Sequence, residues 1–138
     1  MNHLPQLILV VDDEKNIRLL FEEELTEVGY NVICAENGEE ALTLFKTRHP
    51  DLVLLDLKMP GIHGVTVLEK LRETDKQTPV FVVTAHGAGS SLQRSQTEYT
   101  IREKNLNIID YITKPVDLDD LVAKVKKAIG PPKIGQAG

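Results

Sequence analysis

Leu7-Ile8-Leu9-Val10-Val11, Leu52-Val53-Leu54-Leu55 and Val80-Phe81-Val82-Val83 are runs of four or five apolar residues with no polar alternation. Strands buried on both faces read this way, and they belong to parallel sheets covered by helices. Each run stops at a residue of defined chemistry. Asp12 and Asp13 follow the first, Asp56 the second and Thr84 the third. A further apolar segment, Ile108 to Ile112, is followed by Thr113, Lys114 and Pro115. In an open parallel sheet the carboxyl ends of the strands lie along one edge, and ligands bind there. Three carboxylates, an ammonium and a hydroxyl are therefore expected to converge. Two carboxylates ~4 Å apart repel by ~1 to 4 kcal/mol, depending on the local dielectric. Three together call for a cation, and a hard divalent metal with oxygen ligands suits them.

Between the runs the apolar period changes to that of helices. Ile17, Leu20, Phe21, Leu25 and Val28 predict a helix from about residue 14 to 28, ended by Gly29. Residues 30–35 read as a second strand. Asn37-Gly38-Glu39-Glu40 has the form of a capping box, opening a helix that runs to Arg48 before Pro50. The segment Met59 to Gly64 reads as a loop, and Val67, Leu68 and Leu71 mark the helix after it. Asp117 is a good N-cap for a last helix with the stripe Leu118, Leu121, Val122, Val125 and Ile129. Five strands alternating with helices imply an α/β parallel sheet with helices on both faces. The segment 86–107 reads poorly. Leu92, Tyr99 and Leu106 recur seven apart, and a loop followed by a loosely packed helix over about 91–104 is expected.

A chain of 138 residues is one domain with room for a core. No apolar run approaches the ~18 residues of a membrane span, and no secretory signal is read at the start. The single Cys34 fits a reducing cytoplasm and a packed core thiol. A net charge of −5 argues against this domain binding nucleic acid by itself. The run Glu22-Glu23-Glu24 reads as the solvated face of a helix. The expected division is a domain over 1–130, then a tail or the start of a linker over 131–138.

Four motifs taken in order, Val10-Val11-Asp12-Asp13-Glu14, Leu55-Asp56-Leu57-Lys58-Met59-Pro60-Gly61, Val83-Thr84-Ala85 and Asp110-Tyr111-Ile112-Thr113-Lys114-Pro115, resemble the receiver domain of bacterial two-component response regulators. The resemblance implies a doubly wound, flavodoxin-like five-stranded sheet of order 2-1-3-4-5. It implies that Asp56 accepts a phosphoryl group from a phosphohistidine donor, with Mg2+ as cofactor. Asp13 and Asp56 would be direct ligands, Asp12 would act through a water, and the backbone carbonyl of Lys58 would complete the set. Lys114 would hold a phosphoryl oxygen and Thr84 would hydrogen-bond the group after transfer. Tyr111 matches the aromatic that turns inward on activation, and Lys114–Pro115 would be a cis bond. Lys58 and His86 would modulate the lifetime of the phosphoryl group. The implied donor is a histidine kinase or a histidine phosphotransfer protein. The output expected from the resemblance is either an unidentified partner protein or an effector domain following the receiver. Thirty positions separate Thr84 from Lys114, longer than the usual receiver spacing by roughly two helical turns' worth of residues. That extra length is expected to alter the output face and to be a moving part.

Each residue has a blander reading. Asp12 and Asp13 are common helix-capping residues, Asp56 a common turn residue, and Lys114 a solvated lysine. Thr84 and Tyr111 fit ordinary strand ends, and His63 and His86 fit non-catalytic surface roles. Their joint occurrence at strand ends is what carries the functional reading. A phosphatase of the haloacid dehalogenase type needs a second aspartate two residues after the first, where this chain has Lys58. Flavin binding needs a hydroxyl- and glycine-rich loop where this chain has Asp12-Asp13-Glu14. The remaining rival is a degenerate receiver that only binds proteins. That reading requires a missing Asp56, Asp13 or Lys114, and all three are present. Such a domain is not a conventional enzyme, since it would catalyse only its own phosphorylation and dephosphorylation.

Overall fold

The computed structural model describes residues 6–57, 64–84 and 98–133. The strands are β1 (Leu7–Val11), β2 (Asn31–Ala35), β3 (Leu52–Asp56), β4 (Val80–Thr84) and β5 (Asp110–Thr113). The helices are α1 (Lys15–Val28), α2 (Gly38–Arg48), α3 (Gly64–Thr74), α4 (described over 98–103) and α5 (Leu118–Ile129). All strand pairs are parallel, in the order β2-β1-β3-β4-β5. This is the doubly wound order that the resemblance to receiver domains implies.

The strand period of two divides the apolar runs between two cores. Leu9, Val11, Val53, Leu55, Val80 and Val82 face Ala41 and Phe45 of α2, Val67, Leu68 and Leu71 of α3, and Ile101 of α4. Ile8, Val10, Leu52, Leu54, Phe81 and Val83 face Phe21 and Leu25 of α1 and Leu121 and Val125 of α5. The central strands are buried along their whole length, which is why they carry no alternation.

Local signals set the helix ends. Asn37 accepts a hydrogen bond from the Glu40 amide at 2.8 Å. Glu40 reaches back to the amide of Glu36, one residue before the cap. Asp117 caps α5 through the Asp120 amide at 3.1 Å. At the far end of α5, the buried Tyr30 hydroxyl donates to the Gly130 carbonyl at 2.7 Å. Gln6 donates to Pro131 and accepts from the Lys133 amide, so residues 131–133 are held against the start of β1.

Three expectations need correction. Leu20 is 41% exposed, because the stripe of α1 runs through Ile17, Phe21 and Leu25 and leaves Leu20 at its edge. Tyr99 is 61% exposed, and Ile101 takes the buried position instead. The rest of the described part of that segment is anchored at particular residues. Ile101 and Leu106 are buried, and the Arg72 guanidinium, itself buried, donates twice to the Asn107 carbonyl. The last strand begins at Asp110, two residues later than the apolar run suggests, with Ile109 exposed. Among the described residues no helix is long and apolar enough to cross a membrane.

Candidate functional site

Asp12 follows β1 directly, Asp56 ends β3, Thr84 ends β4 and Lys114 follows β5, all at one edge of the sheet. The backbone fixes each of them. The Asp12 amide donates to the Ala35 carbonyl at 3.1 Å, and its carbonyl accepts from the Arg18 guanidinium at 2.9 Å. The Lys114 amide donates to the Thr84 carbonyl at 2.8 Å, extending the β4–β5 ladder into the site. The Lys114–Pro115 bond is cis. Gly64 lies so close to the chain after Asp56 that an added Cβ would stand 2.4 Å from Leu57 Cα. Only glycine permits that approach.

Carboxylate oxygens of Asp12, Asp13 and Asp56 all lie within 4.8 Å of one another. Asp12 and Asp56 are buried and Asp13 is exposed. This acidic triad is able to bind a metal ion. Its donors are all hard oxygens, the set that Mg2+ and Ca2+ take. Lys114 is the described cation among these carboxylates. Its Nζ lies 3.1 Å from Asp12 Oδ2 and 3.3 Å from Asp56 Oδ2. Burial acts to lower the pKa of the ammonium, but Asp56 and then Asp12 outweigh it and hold the value above that of an ordinary lysine. Asp12 Oδ1 also accepts from the Glu14 amide at 2.9 Å. The Thr84 hydroxyl is buried and makes no hydrogen bond among the described residues.

Tyr111 is half-buried two register positions from Thr84, since Val82 pairs with Tyr111 and Thr84 with Thr113. Strand alternation puts Thr84 on the same sheet face as Val80, Val82 and Tyr111. Tyr111 also lines a groove of ≈ 290 Å³ with Ile101, Arg102, Leu106 and Ile108. Lys58, His63 and His86 lie outside the described residues, as does the stretch 85–97. Two site residues escaped the sequence reading. Glu14 Oε1 is 3.3 Å from Lys114 Nζ, and Arg18 braces the Asp12 carbonyl. The available signal was their spacing: Glu14 and Arg18 stand one turn apart at the start of α1, immediately after the acidic pair.

The response regulator receiver domain family matches residues 8–126. Sporulation initiation phosphotransferase F of Bacillus subtilis is 37% identical over 120 residues, covering 87% of this chain and 90% of that protein. Regulatory protein AtoC of Escherichia coli is 36% identical over 122 residues, 88% of this chain but 25% of that protein. The chain thus spans nearly all of one curated relative and about a quarter of another. The crystal structure of the Thermotoga maritima response regulator protein TrrA, in complex with Mg2+–BeF, is 42% identical. It superimposes with a TM-score of 0.75, covering 90% of this chain and 99% of that one. With the acidic triad and Lys114 at the carboxyl edge of a 2-1-3-4-5 sheet, the chain belongs to the response regulator receiver domain family, the phosphoacceptor modules of two-component signalling.

Proposed function

We propose that Asp56 is the phosphoacceptor, and that Asp13, Asp56 and, through a water, Asp12 hold Mg2+ beside it. One observation carries the reading: the buried Asp56 carboxylate sits both in a three-carboxylate cluster and on the Lys114 ammonium. The donor set fits Mg2+, which accepts few carboxylates and retains several waters. The Lys58 carbonyl remains part of the proposed set. When bound, the ion would neutralise the charge that otherwise repels a phosphate from this edge. The TrrA complex with Mg2+–BeF supports the choice of metal by similarity.

An Asp56 Oδ attacks phosphorus in line with the leaving group. The new O–P bond forms as the P–N bond of a phosphohistidine breaks, and its electron pair leaves with the imidazole nitrogen. Such a transfer asks little covalent chemistry of the protein, so positioning and charge dominate. The β3 ladder fixes Asp56, Lys114 supplies a mobile point charge for a phosphoryl oxygen, and the Thr84 hydroxyl donates to another. Lys58 and His86 are proposed to modulate the lifetime of the product. A receiver implies a phosphodonor kinase or phosphotransferase. We take that donor to be a histidine kinase or histidine phosphotransfer protein met in the cytoplasm, and the output to be another protein or a following effector domain.

Incubation with acetyl phosphate and Mg2+ tests the reading, with intact mass as readout. The wild type gains one labile phosphoryl group, and Asp56→Asn gains none. An equal gain by Asp56→Asn contradicts the assignment.

A further inference from the structure

Glu14 stands at the mouth of the site with no function in the chemistry above. It occupies the N-cap position of α1, yet its side chain makes no capping bond. The carboxylate, 60% exposed, instead reaches inward to Lys114 Nζ at 3.3 Å. Lys114 therefore divides three hydrogen-bond donors among Asp12, Asp56 and Glu14. Asp12 and Asp56 are buried on β1 and β3, so they hold the ammonium inside the pocket. Glu14 is the exposed partner, and it draws the ammonium toward solvent. We propose that Glu14 is a positioning residue that tethers Lys114 before phosphorylation and must release it before Lys114 can engage an incoming phosphoryl oxygen.

This inference rests on the phosphoacceptor reading of Asp56. A phosphoryl group on Asp56 brings more negative charge to Lys114 than the carboxylate it modifies, so the ammonium exchanges its exposed partner for the new anion. The tether then slows transfer by opposing that exchange, and its strength is that of an exposed ion pair.

Two substitutions separate tethering from simple repulsion at the mouth. Glu14→Gln removes the charge. Glu14→Asp keeps the charge but is one methylene shorter, so it falls short of Lys114. Neither disturbs the fold directly, because the Glu14 contacts that shape α1 are its backbone bonds to Asp12 Oδ1 and Arg18. Rates of phosphorylation by acetyl phosphate and by phosphoramidate are measured at fixed ionic strength and Mg2+. The Lys114 Cε resonance is followed in the metal-free protein. Both variants are expected to accept the phosphoryl group faster from both donors, by about two- to fivefold. Both are expected to shift the Lys114 resonance. If Glu14→Asp matches the wild type while Glu14→Gln is faster, the effect is a field at the mouth and the tether is overturned. If neither variant is faster, or the Lys114 resonance does not move, the proposal is equally overturned. A wild type that gains no phosphoryl group on Asp56 refutes instead the reading on which this one rests.

Discussion

Asp13 is the exposed member of a carboxylate cluster whose other members share a single lysine. Without a metal its charge adds repulsion that Lys114 does not cancel. Asp13→Asn should therefore raise the melting temperature of the metal-free protein by about 2–4 °C, the effect of ~1 kcal/mol in a domain of this size. The same change should abolish the stabilisation that Mg2+ gives the wild type. Melting curves with and without Mg2+ check both halves, and a variant still stabilised like the wild type counts against ligation by Asp13. Cys34 shows a different use of environment. Burial first, then the Glu22 and Glu40 carboxylates working against Arg18, push its thiol up to about 11. The thiolate, which is the reactive form, is scarce at neutral pH and grows as pH rises toward that value. Alkylation by iodoacetamide in the folded protein should be slow at pH 8 and accelerate with pH. Fast labelling at pH 7 contradicts the packed-thiol assignment.

At the scale of elements, Gly64 shows how a helix start governs the chemistry one strand away. A methyl group there meets the Leu57 Cα at 2.4 Å and the Asp56 carbonyl at 3.0 Å, backbone atoms that a side-chain rotation cannot move. Gly64→Ala should cost about 1–3 kcal/mol in denaturant unfolding and slow phosphorylation, because Leu57 adjoins Asp56. Unchanged stability shows that the α3 start yields freely. The elements were largely legible in the sequence, for identifiable reasons. A strand buried on both faces needs an unbroken apolar run, so β1, β3 and β4 announce themselves. Asn37 and Asp117 cap α2 and α5 by local rules. The misses lie where tertiary packing decides. Leu20 is apolar and periodic, yet α1 presents its neighbour Phe21 to the core. Ile108 and Ile109 prolong an apolar run that pairs as a strand only from Asp110. The site shows the same division. Asp12, Asp56, Thr84 and Lys114 are legible because strand ends position them. Glu14 is not, since its role depends on a side chain crossing to an element 100 residues away.

Across the whole molecule, the two cores meet at a single sheet, and the phosphoryl site lies at one edge of it. Thr84 belongs to that edge and shares a face with Tyr111, which lines the groove beside α4. Phosphorylation should draw the Thr84 hydroxyl toward the phosphoryl group and let Tyr111 pack behind it, a shift between two packed arrangements. Thr84→Ala should still accept the phosphoryl group but show smaller chemical-shift changes around Tyr111 when loaded with beryllofluoride. Changes equal to those of the wild type break the proposed link. The central claim, that this fold assembles a phosphoacceptor from strand ends, is tested most directly by locating the modified residue. An aspartyl phosphate is an acyl phosphate, which borohydride reduces to the alcohol of homoserine. Protein treated with acetyl phosphate and Mg2+, reduced and digested, should carry homoserine at position 56 and at no other aspartate. Homoserine at position 12 or 13, or none at position 56 in protein that has gained the phosphoryl mass, contradicts the account.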